Sequence, residues 1–334
     1  MTEDLPLALS LGDPAGVGPE LICEAWVRRV RSGLPPFFVA GGVSLLRAAA
    51  EQRGLDVPVH PVSDAAEAAA LFDKALPVLG ELDGPYRPGK PDAGGAKLAL
   101  ASLRQATALV TGKAAGALVT GPIAKSRLAE VGFDFPGQTE FVAHACGVPA
   151  TDAVMLLAGP QLRTVPLTVH VALAEVPTLL SVELICRRTR IVARGIQRDF
   201  GIAHPRIAIA ALNPHAGEHG RMGDEEQRII GPAIETLRAE GIEVSGPWPA
   251  DTLFAPRARE TYDVAIAMYH DQALVPLKAL DFDEGVNMTL GLPIVRTSPD
   301  HGTAFGIAGT GTAHPGATVA AIRLAGQAAA RRAR

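Results

Sequence analysis

The chain has 334 residues, 48% hydrophobic and 20% charged, a balance of a folded protein with one large domain or two ordinary ones. A formal net charge of −4 leaves no general basic field for nucleic acid, and the Arg331-Arg332-Ala333-Arg334 tail is too short to change that. The three cysteines, Cys23, Cys146 and Cys186, are far apart with no C-x-x-C pair, which argues against a disulfide framework or a structural zinc knuckle.

The acidic start, Met1-Thr2-Glu3-Asp4, is unlike a signal peptide, and no apolar run approaches a membrane span, so the cytoplasm is expected. Short apolar runs then alternate with longer amphipathic ones, the pattern of an α/β chain. In chain order the runs predict strands at 5–11, 37–40, 117–120, 153–157, 164–171, 206–212, 264–269 and 286–290. Helices are predicted at 19–31, 43–53, 95–113, 182–198, 224–239 and 318–331. In the fourth, Ile185, Val192 and Ile196 share one face. Two Gly/Pro-rich stretches, 82–95 and 246–257, read as long loops rather than flexible linkers.

Ligands of open α/β sheets bind beyond the carboxyl ends of the strands, and here polar residues collect there. Gly121–Lys125 follows one predicted strand, Asn213-Pro214-His215 another, and His270-Asp271-Gln272 a third, while His170 sits inside a strand-like run. A lone histidine reads more readily as a surface or hydrogen-bonded residue. Three with this shared pattern bring a metal site of His170, His215 and His270 to equal footing with that reading. Gly12–Glu20 follows a strand and opens a helix, a place that suits an anion, but it has neither dinucleotide nor Walker spacing. Asp300–Ala304, with Gly306, Gly309 and Gly311, reads equally as a surface loop. Lys278 and Arg296 could clamp an anionic substrate, with ordinary surface charge as the plainer reading of each.

Taken together, GDPAGVGPE at 12–20, TGPIAK at 120–125, GQTEF at 137–141, LTVHVAL at 167–173, LNPHAGE at 212–218, PADTLF at 249–254, YHDQ at 269–272, VPLKALDF at 275–282, GVNMTLGLPIVRTS at 285–298 and DHGTA at 300–304 closely resemble the 4-hydroxythreonine-4-phosphate dehydrogenase family. The resemblance implies a two-lobed α/β/α architecture of the isocitrate/isopropylmalate dehydrogenase-like type with the active site in the cleft. The first lobe is expected over 1–130 and 297–334, the second over 131–296. It implies His170, His215 and His270 as metal ligands, with zinc preferred and magnesium or cobalt as alternatives. Gln138, Thr139, Lys278, Asn287 and Arg296 would contact substrate, and His301, Gly302, Thr303 and Ala304 would meet NAD or NADP. A homodimer with sites built from both subunits is implied as well.

The expected reaction is oxidation of 4-phosphooxy-L-threonine to a β-keto acid that loses carbon dioxide, in pyridoxal phosphate biosynthesis. Asp251, Asp271 and Lys278 are the candidate bases. The family motif usually reads GHTE, whereas this chain has Gln138, which can hydrogen-bond but cannot become a cation. Threonate or erythronate 4-phosphate and cyclic diol dicarboxylates are therefore alternative substrates. An acyl or phosphoryl transferase and a non-enzymatic metal- or metabolite-binding protein are the rival classes.

Overall fold

The computed structural model of the protein describes residues 5–334, so the acidic start Met1-Thr2-Glu3-Asp4 lies outside it. Its strands are β1 (Leu7–Ser10), β2 (Phe37–Ala40), β3 (Val59–Val62), β4 (Leu76–Leu79), β5 (Leu118–Thr120), β6 (Val154–Ala158), β7 (Arg163–Thr168), β8 (Ile207–Ala210), β9 (Val244–Trp248), β10 (Val264–Tyr269), β11 (Val286–Leu290) and β12 (Arg296–Pro299). The longer helices are α1 (Gly18–Val27), α2 (Val43–Arg53), α3 (Ala93–Thr111), α4 (Gln138–Ala145), α5 (Val182–Phe200), α6 (Gly231–Ala239), α7 (His270–Asp281) and α8 (Gly316–Arg332). The α/β class expected from the alternating runs is what forms.

The chain folds as two compact units, Met1–Ala153 with Leu292–Arg334, and Val154–Gly291. The sequence reading put the changes near 130 and 297. They fall elsewhere because α4 packs against α3, and β12 pairs in parallel with β5, so both stay with the first unit. Gln138, Thr139 and Arg296 therefore belong to the first unit and not to the one that carries the histidines.

In the first unit the strand order is β3-β4-β2-β1-β5-β12, with every pair parallel. Parallel strands buried on both faces read as continuous apolar runs, which is why Leu7–Ser10 and Phe37–Ala40 are wholly buried and legible. β3, β4 and β12 went unread because Val59–Val62 and Leu76–Leu79 contain prolines and Arg296–Pro299 is polar. α3 starts where Asp92 accepts a hydrogen bond from Gly95 N at 2.7 Å and leaves an alanine- and leucine-rich face in the core.

In the second unit the order is β11-β6-β7-β10-β8-β9. β6 runs antiparallel to β7 and β11, whereas β7, β10, β8 and β9 are mutually parallel. α5 is capped by Ser181, ends at left-handed Gly201, and buries Ile185, Val192 and Ile196 completely. Its Gly195 lets Leu290 of β11 approach, since a Cβ there would lie 2.9 Å from the leucine methyls. β9 and the short helices Ala250–Leu253 and Pro256–Arg259 replace the loop expected over 246–257.

At the leading edge of this sheet, Arg206 and Asp263 pin β8 to β10. Asp263 accepts from Arg206 N at 2.8 Å and from its guanidinium at 3.0 and 3.2 Å. Burial alone would raise this carboxyl, but the Arg206 hydrogen bonds and charge together hold it below its usual 3.8. A lowered folded value means the charged pair stabilises fully above that ordinary value and is lost as pH falls through the folded one. Asp263→Asn should lower the calorimetric Tm at pH 7, and its gap from wild type should shrink in scans below pH 3.8. A gap that stays constant with pH contradicts this account.

Candidate active site

In the second unit, three adjacent parallel strands, β7, β10 and β8, deliver the three histidines to one edge of the sheet. β7 ends at Thr168, so His170 is not within a strand as its sequence suggested; it stands two residues beyond, with φ 55°. His270 opens α7 directly after β10. His215 follows β8 in the turn Pro214–Gly220, where His215, Ala216, Gly217, Glu218 and His219 are all left-handed. A left-handed residue with a Cβ costs roughly 1–2 kcal/mol, so four in one turn must be held by strong local contacts. Six of the seven such non-glycine residues among the described ones, His170, His215, Ala216, Glu218, His219 and Ala304, fall in the segments singled out for chemistry. Stored strain of this kind concentrates at functional sites.

The rings of His170 and His270 lie 5.8 Å apart, centre to centre. Two imidazoles on one ion can have centres up to roughly 6.4 Å apart, given a metal–nitrogen bond near 2.1 Å, so the pair fits a shared divalent cation. His270 Nδ1 is 2.7 Å from Asp271 Oδ1, and a carboxylate oxygen accepts, so Nδ1 carries the proton and Nε2 the lone pair. Among the described residues, no three His, Cys, Asp or Glu side chains gather as a metal-holding group. One chain thus presents a pair, with His215 held on the neighbouring strand.

Gln272 locks two of these strand ends together. Its Oε1 accepts from Met268 N at 2.7 Å and its Nε2 donates to Ala211 O at 2.8 Å, with the side chain buried. Asp251 is exposed in the short helix after β9, which lies against the Pro214–Gly220 turn on the same edge. Lys278 and Asn287 are elsewhere. Lys278 is eight residues along α7 from His270, or roughly 12 Å at ~1.5 Å per residue. Asn287 pairs with Leu157, which pairs with Thr164 near the start of β7, whereas His170 lies past that strand's end. The Asn287 Oδ1 atom is buried with no hydrogen-bond partner among the described residues.

In the first unit, strand order reverses between β1 and β5, the point where open sheets bind ligands. Gly12 has φ 72°, and a Cβ there would sit 2.7 Å from Pro122 O, so the loops after β1 and β5 touch. Gly16 lies as closely on Thr303 O, which also accepts from Val17 N at 3.0 Å. The second glycine-rich segment is therefore bound to the first rather than loose on the surface. Buried Glu20 accepts from Gly309 N at 3.3 Å and Arg53 donates to Ala313 O at 2.9 Å, extending that attachment. Burial raises the Glu20 carboxyl above its ordinary range. His301 Nδ1 donates to Gly302 O at 2.9 Å, and its buried Nε2 has no partner among the described residues. In that tautomer Nε2 is an acceptor suited to an amine such as adenine's.

Arg296, Thr139 and Gln138 come together in this unit. Arg296 is 3% exposed and donates to Thr120 Oγ1 at 2.7 Å and to Thr139 Oγ1 at 3.3 Å. Burial brings its guanidinium down to about 10, opposed by the Glu140 charge, so it remains a cation at neutral pH. Gln138 Nε2 donates to Gly121 O at 3.1 Å. A carbonyl can only accept, so Gln138 Oε1 is fixed as an acceptor, and it is buried with no partner among the described residues. Thr120, Gln272 and Asn213 were missed as individual roles, although each lies in or beside a motif.

Gln272→Leu keeps the side-chain size but strands Met268 N and Ala211 O. The expected loss is about 2–4 kcal/mol in urea unfolding, at roughly 1–3 per buried unsatisfied group. A loss under about 1 kcal/mol would show that water replaces the amide and that Gln272 does not lock the strand ends.

Comparison with known proteins agrees with the motifs. Residues 34–325 match the family model described as pyridoxal phosphate biosynthetic protein PdxA. The chain is 62% identical over 328 residues to a 4-hydroxythreonine-4-phosphate dehydrogenase of Erythrobacter litoralis, covering 98% of both chains. The crystal structure of a 4-hydroxythreonine-4-phosphate dehydrogenase from Klebsiella pneumoniae superposes with a TM-score of 0.85 at 38% identity, over 98% of each chain. A terephthalate 1,2-cis-dihydrodiol dehydrogenase from Burkholderia xenovorans is more distant, at 30% identity and a TM-score of 0.65 over 97% of this chain and 98% of that one.

Proposed function

The chain belongs to the PdxA family of pyridoxal phosphate biosynthetic proteins, and on that premise we propose that it is an NAD- and divalent-metal-dependent 4-hydroxythreonine-4-phosphate dehydrogenase. It oxidises the C3 hydroxyl of 4-phosphooxy-L-threonine to give 2-amino-3-oxo-4-phosphooxybutanoate. That β-keto acid loses carbon dioxide and takes up a proton to become 3-amino-2-oxopropyl phosphate. The observation that carries the reading is the set of histidines at three adjacent strand ends, two of them in strained backbone.

His170 and His270 would hold the ion, with His215 as third ligand. Zinc suits three imidazoles, and magnesium suits them less because it prefers oxygen. When bound, the ion withdraws charge from the substrate's hydroxyl oxygen and NAD supplies the hydride acceptor. Asp271 keeps the His270 ring in the tautomer that presents Nε2. His301 to Ala304 would receive the adenine end of the dinucleotide. Arg296, with the Thr120 and Thr139 hydroxyls orienting it, would take an anionic end of the substrate. Asp251, on the histidine edge, is the base best placed to receive the hydroxyl proton.

The acceptor oxygen of Gln138 suits an ammonium or hydroxyl donor and disfavours a second carboxylate. This supports the amino-acid phosphate, or a threonate phosphate, over a cyclic diol dicarboxylate. Lys278 and Asn287 are turned away from the histidines of their own unit, which supports a homodimer in which they serve the partner's site. The absence of any helix long and apolar enough to cross a membrane is consistent with an enzyme of soluble metabolites in the cytoplasm.

The tests are direct. NADH formation from 4-phosphooxy-L-threonine should vanish with chelator and return with Zn2+. His270→Ala should weaken Zn2+ by more than the ~10–100-fold that loss of an outer hydrogen bond costs a metal site. Chelator-resistant turnover would sink the metal, and turnover confined to a diol dicarboxylate would sink the substrate. Mixing inactive His270→Ala and Asn287→Ala chains should restore about a quarter of wild-type activity, because half the dimers are hybrids with one intact site each. No recovery on mixing would contradict shared sites.

A further inference from the structure

The turn that carries His215 has an anchor outside every motif discussed so far. Glu226 is 5% exposed, and its carboxylate points back under the end of β8. Its Oε1 accepts from Leu212 N at 2.9 Å and from Asn213 N at 2.8 Å, and its Oε2 accepts from Asn213 Nδ2 at 3.0 Å. Asn213 Nδ2 also donates to Glu225 Oε2 at 2.7 Å.

Those two backbone N–H groups follow directly on β8 and Ala211. By taking both, Glu226 turns the chain out of the strand and fixes where the left-handed turn begins. Its other oxygen reaches the middle of that turn, because a Cβ on Gly217 would lie 2.6 Å from Oε2 and 2.9 Å from Gly223 O. Gly217 is thus kept small by the carboxylate, and Met222 N closes the turn on Gly217 O at 3.1 Å. The clamp also has an unusual mount. Glu226–Ile230 is a π-turn at the head of α6, and such widened turns recur at functional sites.

We infer that Glu226 is a positioning residue for His215: its carboxylate holds the strained turn that aims this imidazole at the metal. The inference rests on the reading of His215 as a metal ligand. Glu226 touches neither ion nor substrate, so its effect runs only through the geometry of residues 212–217.

The experiment is a chelator-competition titration of Zn2+ on the full-length dimer, with wild type, Glu226→Gln, His215→Ala and the double variant. Glu226→Gln keeps the volume but sets an amide N–H against a donor in the clamp. Zn2+ affinity should fall ~10–100-fold, as for other outer hydrogen bonds of metal sites. In the His215→Ala background the same change should have no further effect, a non-additivity that general destabilisation would not produce. Gly217→Ala, which pushes on Oε2 from the other side, should lower affinity by a similar factor. Wild-type affinity in Glu226→Gln, or an equal loss in both backgrounds, overturns the assignment. If His215→Ala alone leaves Zn2+ affinity unchanged, the reading of His215 as a ligand fails and the assignment falls with it. That outcome is told apart by the single histidine variant.

Discussion

Backbone N–H and C=O groups at the carboxyl end of a parallel strand run out of ladder partners together, and on each sheet they do so along one edge. Each unit's chemistry depends on how those groups are satisfied. In the first unit they are met by neighbouring loops: Asp13 N donates to Pro122 O, Gly121 N to Ser10 Oγ, and Val17 N to Thr303 O. In the second they are met by side chains, Gln272 for Met268 and Ala211, and Glu226 for Leu212 and Asn213. The side chains that satisfy the backbone also determine where the histidines stand.

The two units solve different recognition problems. The first is a wholly parallel sheet whose switch point collects glycine loops, an acceptor imidazole and a buried guanidinium. These suit a dinucleotide and an anion. The second gathers neutral imidazoles on strained backbone, which suits a cation. Arg296 shows how burial and specificity meet. Desolvation weakens its hold on a proton, yet the Thr120 and Thr139 hydroxyls orient the guanidinium while it remains charged at neutral pH.

Much of the fold was legible. Continuous apolar runs mark the central strands because both their faces are buried, and the Ile185–Val192–Ile196 stripe marks α5. Val59–Val62, Leu76–Leu79 and Arg296–Pro299 were not legible, since prolines and polar residues break the pattern and neighbouring strands supply the stability. Among site residues, the histidines could be proposed from their place after apolar runs. Glu226 could not, because a glutamate in a predicted helix reads as a solvated residue until the strand end it clamps is in view.

The sequence by itself determined that His170, His215 and His270 are candidates and that the chain is α/β, because residue type and hydrophobic period are local properties. Only the tertiary structure decided which candidates share an edge. Strand order brings β7, β10 and β8 side by side although their histidines are 45 and 55 residues apart, and register sends Asn287 to the other end. Positive φ at His170 and His215 is likewise a tertiary outcome. No local preference favours it, so it persists only where contacts distant in sequence outweigh its cost.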